Sequence, residues 1–440
     1  VPARIRVQQV DGPQEESMSK KSEDGRLLEQ VAANGILHRR AFLAGSAAVA
    51  GGLSFMTAAA APPNVPAWMK TPGQGLHAYG TRSRFEEHVV RAAASSPGTL
   101  GTGGSRTPLE MLEGIITPSA LHFERHHNGI PDIDPGEHKL LIHGLVERPL
   151  MFDLESLSRY PLVSHIRFLE CSGNSAALNG AEPPQQTVGM LHGLLSCSEW
   201  TGVPLGLLLE EAGVRPEGRW ILAEGADAAV MTRSVPMSKI MDDAIVAIYQ
   251  NGERLRPSNG YPMRLLLPGW EGNANVKWLH RVKVTAEPTM TRDETSKYSD
   301  LYPDGHATLF TFPMGVKSTI TSPSGSQSMH GPGLYQVSGL AWSGAGRIRR
   351  VEVSADAGRS WGEAELAEPV LSKALVRFRM PWRWDGRPVV LQSRAIDETG
   401  AVQPSRSALL AERGPNYRYH YHAIQSWAVS ERGEVSNVYA

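Results

Sequence analysis

Cysteine is scarce in this chain. There are two among 440 residues, Cys171 and Cys197. Two thiols cannot hold a four-cysteine iron–sulfur cluster or staple several loops. No Cys-x-x-Cys-His occurs, so no c-type haem is expected on this chain. No Gly-x-Gly-x-x-Gly follows a strand and opens a helix, which argues against a bound NAD or FAD. Charge of one sign is also lacking: the net charge is −1. Without a basic excess, nucleic acid is not an expected partner. Beyond residue 61 no run approaches the ~18 apolar residues that a membrane span requires. A redox role would therefore need a separate protein to carry electrons away.

What is present begins with His38-Arg39-Arg40-Ala41-Phe42-Leu43, followed by a mildly apolar Ala/Gly stretch to Ala61 and then Pro62-Pro63. This pattern reads as a twin-arginine export leader over residues 1–61, with small-residue cleavage near Ala60 or Ala61. That route carries folded proteins and fits a periplasmic enzyme with a cofactor. Residues 62–115 are rich in Gly, Pro, Ser and Thr and read as an extended arm, with one helix predicted near Phe85–Ala94. Residues 116–300 alternate short strands and helices, the signature of an α+β domain. Asp153 is a helix cap there, Pro204–Gly213 a helix ending at glycine, and Lys139–Gly144, Trp220–Ala223 and Tyr261–Pro268 are strands. Residues 301–440 turn all-β beyond a long connection. Tyr335–Trp342, Arg349–Ser354, Ala374–Met380 and Val389–Asp397 predict an immunoglobulin-like sandwich.

The most informative stretch is His165-Ile166-Arg167-Phe168-Leu169-Glu170-Cys171-Ser172-Gly173-Asn174. A short apolar strand ends at a thiol, and a Gly-Asn turn follows. Such a turn admits a bulky ligand close to the backbone, and a strand-end thiolate suits a soft metal site. Taken alone, a buried core cysteine is the commoner reading. The leader and the chain's other motifs favour the ligand. Two free thiols are expected rather than a Cys171–Cys197 bridge.

Four blocks resemble the sulfite oxidase family of molybdenum enzymes, from about Thr117 to His422. They are Leu121–His127, the Cys171 block, Asn251–Trp278 with Gly272-Asn273-Ala274-Asn275-Val276-Lys277-Trp278, and Gly339–Arg347 continuing to Asp356–Trp361. The resemblance implies a mixed α/β molybdopterin-binding domain followed by an Ig-like dimerisation domain. It implies a molybdenum–molybdopterin cofactor with Cys171 as the metal ligand. Arg125 and His127 match the motif that holds the pterin, and Arg264 and Lys277 match positions at its phosphate end. Phe123, Ser172, Gly173 and Asn259 complete the cofactor contacts, Asn259 standing where the family usually has histidine. Arg125, Tyr302 (with Tyr298 in reserve) and Arg347 are implied at the reacting centre.

The departures point to substrate. Sulfite-oxidising members usually carry two basic residues after the Cys-x-Gly-Asn turn; here these are Ser175 and Ala176. Losing a charge-assisted contact of about 1.5–3 kcal/mol disfavours a small free anion. With the Tyr417–His422 tail, this resembles the sulfane dehydrogenase branch. That branch oxidises sulfane sulfur on a carrier-protein cysteine during thiosulfate oxidation and passes electrons to a c-type cytochrome subunit. The alternative is sulfite dehydrogenase. A periplasmic binding module, needing no metal at all, is the non-enzymatic reading. A homodimer within a hetero-oligomer is the expected assembly.

Overall fold

A computed structural model describes residues 30–38, 65–415 and 417–440. Arg39, Arg40 and the Ala/Gly stretch to Ala61, the heart of the expected leader, lie outside the described residues.

The first domain is built on two sheets. One runs in the order Thr232–Pro236, Trp220–Gly225, Leu279–Thr285, Leu140–Gly144, Leu150–Phe152, and its Leu279–Thr285/Leu140–Gly144 pair is parallel. The helix Leu205–Ala212 buries Leu205, Leu208, Leu209 and Ala212 among Leu140, Ile142, Val282 and Val284. Each such leucine contributes about 1.5–3 kcal/mol by leaving water. Gly213 stops this helix at φ +71, a left-handed conformation that glycine adopts without strain. Asp153 caps the next-door helix Leu154–Leu157, exchanging hydrogen bonds with Ser156 in both directions.

The second sheet runs Glu253–Arg254, Ile245–Gln250, Leu195–Pro204, Val163–Glu170, with Arg264–Leu266 also on Ile245–Gln250. It delivers Cys171 from the end of Val163–Glu170. The expected strand over 261–268 shrinks to Arg264–Leu266, because the prolines at 262 and 268 cannot donate to a ladder.

The second domain is a sandwich of two antiparallel sheets. One contains Lys317–Ser322, Gly333–Trp342 and Val376–Trp384; the other contains Ile348–Ser354, Val389–Asp397, Ser426–Val429 and Val435–Val438. Trp342, Trp382, Trp384 and Trp427 are fully buried between them. This core runs without a break into the first domain, taking in Phe168, Leu195 and Cys197.

Two expectations for the N-terminal segments change. No helix spans 85–94: Arg84–Glu86 forms a single turn of 3-10 helix, and Ala92–Ser95 is a strand. That strand pairs with Gly103–Arg106, which pairs with Glu124–His126. The latter half of the predicted arm is thus part of the sheet that carries Arg125. Residues 30–37, expected within a separate leader, form a hairpin whose Ile36 pairs with Trp382 in the second domain.

Candidate cofactor and active site

A cleft opens between the Glu124–His126 strand, the Cys171 turn and the 257–278 loops. Of the residues expected at a site, Phe123, Arg125, His127, Cys171, Asn259, Arg264 and Lys277 line it.

Cys171 is fixed by its backbone. Its N–H donates to Leu194 O at 2.9 Å, and its carbonyl accepts from Asn174 N at 2.8 Å. Gly272 closes over the strand end, donating to Glu170 O at 2.7 Å. A Cβ on Gly272 would stand 3.1 Å from that oxygen and 3.4 Å from Cys171 Cα, so a side chain here would push the loop a few tenths of an ångström off the strand end. Burial pushes the Cys171 thiol up, while the Gly173 N–H and the Arg125 guanidinium pull it down. Both cysteines are free. Ser172 is buried behind the turn. Its hydroxyl accepts from Asn273 Nδ2 at 3.0 Å and its carbonyl from His420 N at 2.7 Å.

Cations gather along the cleft. Lys277 Nζ donates to Arg125 O and Ser258 O, each at 3.2 Å, and lies 2.8 Å from His126 Nδ1. Burial and the neighbouring Arg264 hold Lys277 well below the usual lysine range. Arg264 donates to Asn259 O and Asn275 O, both at 2.9 Å, but its Nε has no partner. Burial also lowers Arg264; a guanidinium nevertheless stays charged across the working pH range. Asn259 turns its amide to Gln250 Oε1 at 2.8 Å, so its side chain braces the loop.

The tyrosine is corrected. Tyr298 lines the cleft, with its hydroxyl 3.0 Å from His127 Nε2. It is buried, its ring lies over the Arg233 guanidinium at 4.9 Å, and Tyr419 packs against it at 5.4 Å. Tyr302 stacks instead on His306 at 4.4 Å in an outer hairpin, away from the cleft. A left-handed turn at Tyr298, φ +50, sends the two side chains apart. Arg347 is also corrected. Its side chain is 60 % exposed and pairs with Glu398 at 3.1 Å on the second domain, outside the cleft.

Sequence reasoning missed a buried polar set behind the turn. Arg233 pairs with Glu271 and Glu294, each at 3.1 Å, with all three side chains at most 1 % exposed. His420, from the C-terminal tail, lies 3.3 Å from Glu271 Oε2. Lys317 and Trp342 of the second domain reach Glu170 at 3.1 and 2.6 Å. The aromatic/histidine tail was a visible signal for the His420 contact. Lys317 gave none.

The residues fit a molybdopterin. A free thiol stands at one end, with Arg125, Arg264 and Lys277 along the cleft. Arg264 Nε, Asn273 Oδ1 and His122 Nε2 are buried there without hydrogen-bond partners. Buried polar atoms need partners, and a polar ring system with a phosphate supplies them. Among the described residues, no cluster of three or more His, Cys, Asp or Glu side chains could hold a metal. A metal here would take its remaining ligands from the cofactor.

Comparison with known proteins agrees with this geometry. Residues 127–292 match the oxidoreductase molybdopterin binding domain, and residues 309–426 match the Mo-co oxidoreductase dimerisation domain. Sulfite oxidase of Gallus gallus is 31% identical over 327 residues, covering 68% of this chain and 71% of that protein. Nitrate reductase [NADH] of Ulva prolifera is 29% identical over 307 residues, and the match spans only 35% of that protein's length. The crystal structure of the sulfane dehydrogenase SoxCD from Paracoccus pantotrophus superposes with a TM-score of 0.83 and 46% identity, covering 85% of this chain and 97% of that chain. The chain therefore belongs to the sulfite oxidase family of molybdopterin oxidoreductases and stands close to the SoxC subunit of sulfane dehydrogenase.

Proposed function

We propose that this protein oxidises sulfane sulfur held on a carrier-protein cysteine, passing electrons to a c-type cytochrome subunit in the periplasm after twin-arginine export. The likeness to sulfane dehydrogenase over 97% of that chain carries this reading. The Cys171 turn supports it. Ser175 stands at φ +68 and turns inward, its hydroxyl 2.8 Å from Lys317 Nζ and 2.7 Å from His192 Nδ1. Neither Ser175 nor Ala176 lines the cleft, so this turn offers no cation to a free anion.

The bound molybdenum–molybdopterin supplies two-electron chemistry with oxygen drawn from water. Cys171 would hold the metal as thiolate. Arg264 and Lys277 would hold the cofactor's phosphate, and Arg125 lines the same cleft. Burial, reinforced by the Arg125 charge, brings His127 down to about 4. His127 is therefore neutral at pH 7 and can share one proton with the Tyr298 hydroxyl. Trp278 and Phe123 wall the cleft against water. A carrier protein positions its own sulfur by surface contact, so less charge is needed beside the metal.

Sulfite dehydrogenase is the second reading, favoured by the identity to sulfite oxidase. Cytochrome c reduction driven by carrier-bound sulfane sulfur, compared with free sulfite, separates the two. High wild-type efficiency with sulfite and none with the carrier would overturn the proposal.

A further inference from the structure

The nine described residues that precede Arg39-Arg40 form a built contact with the second domain. Asn34 and Gly35, at φ +56 and +86, supply the left-handed backbone of the three-residue loop between the paired Ala32 and Ile36. Trp382 Nε1 donates to Asn34 O at 2.8 Å, and Arg383 N donates to Gly35 O at 2.8 Å. Both donors belong to Val376–Trp384 of one sheet. Asn34 Nδ2 donates to Ala355 O at 2.7 Å, and Ala33 N to Ser360 Oγ at 2.9 Å. These acceptors follow Ile348–Ser354 of the other sheet. Ile36 is fully buried, and a Cβ on Gly362 would come within 2.9 Å of its methyl.

We propose that the folded second domain captures residues 30–37 and thereby sequesters the start of the export leader. This rests on the export reading of Arg39-Arg40. The hairpin's partners come from both sheets, so only an assembled sandwich can hold it. Arg39 follows Leu37 by two residues, at most about 7 Å of extended chain. A receptor that needs this segment extended must first displace the hairpin, and its apparent affinity falls by the undocked fraction. The contact links leader presentation to the fold of a domain more than 250 residues away in sequence.

Hydrogen exchange on the full-length precursor tests the capture. Residues 31–37 are expected to exchange about a hundredfold slower than the exposed 73–83 segment. Equal rates would overturn the proposal. Gly35→Val places a Cβ 1.8 Å from Arg383 O and is expected to abolish the protection while leaving strand 333–342 protected. Trp382→Phe removes one bond from the domain side with the leader unchanged, and is expected to weaken the protection severalfold. Binding of each precursor to vesicles carrying the twin-arginine receptor then tests sequestration. Trp382→Phe and Gly35→Val should bind at least about fivefold more tightly than wild type; unchanged affinity would overturn it. Loss of receptor binding in Arg39→Lys/Arg40→Lys checks the export reading separately, because exchange protection at 31–37 does not depend on it.

Discussion

Replacing Lys317 with methionine should damage the Cys171 turn from the far side of the domain boundary. Lys317 Nζ lies 3.1 Å from Glu170 Oε1 and 2.8 Å from Ser175 Oγ, and both charged side chains are 1 % exposed. Burial pulls Lys317 down, and the Glu170 carboxylate opposes that pull. Removing one member of a buried pair costs about 3–5 kcal/mol, because the survivor is left as an uncompensated charge. Glu170 keeps two donors, Trp342 Nε1 at 2.6 Å and Asn174 Nδ2 at 2.9 Å. The expected loss is therefore near the lower end, about 3 kcal/mol, or a fall in Tm of about 3–4 °C for a chain of this length. Glu170 precedes Cys171, the proposed metal ligand, so molybdenum content after purification should fall as well. Lys317→Met/Glu170→Gln removes both charges and should recover at least about 1.5 kcal/mol relative to additivity. Denaturant unfolding of the four proteins, beside metal analysis, gives the cycle. A single-variant loss below about 1 kcal/mol, or additive effects, would refute the view that this pair braces the turn.

Cys171→Ser should lose molybdenum and activity with little change in fold. Cys197→Ser should keep both but lose about 1–2 kcal/mol of stability, since Cys197 is fully buried in an apolar core; a comparable loss of metal would contradict the assignment. Tyr298→Phe should reduce turnover tenfold or more while Tyr302→Phe stays near wild type, a contrast read by steady-state kinetics. Acid should destabilise the protein through buried neutral histidines. Burial lowers His122 from 6.5 to about 3, so the unfolded chain binds the extra proton between these values, and stability is full above 6.5 and falls with pH below it. At pH 4.5 this one group contributes a loss of about 3 kcal/mol, and His122→Gln should flatten the unfolding profile over that range.

The sandwich was legible because its strands alternate: Ile348–Ser354 buries Ile348, Val351 and Val353 and turns Arg349 and Arg350 outward. The Cys171 strand and its turn were equally plain, since apolar residues, a thiol and a Gly-Asn pair follow in order. The Phe85–Ala94 helix failed where pairing with Gly103–Arg106 outweighed local propensity. The tyrosine failed for a different reason. Tyr298 and Tyr302 are four residues apart in a loop, and a left-handed backbone at the first, not spacing, decides which faces the cleft. Arg347 matched a motif, but its nearest counter-charge, Glu398, holds it on the outer face.

Lys317, Trp342 and His420 carry a larger consequence. All three come from the second domain or the tail that follows it, yet all touch Glu170, Ser172 or Glu271 around the thiol. The apolar core is likewise continuous across the boundary, with Phe168 and Cys197 packed in the same cluster as Trp342 and Leu375. A first domain released from the second would therefore leave Glu170 without its cation and expose part of the sheet that ends at Cys171. An unpaired buried carboxylate and a frayed strand end are poor supports for a metal thiolate. The dimerisation domain thus also braces the Cys171 turn from behind, and substitutions at its inner face should change metal retention before they change assembly.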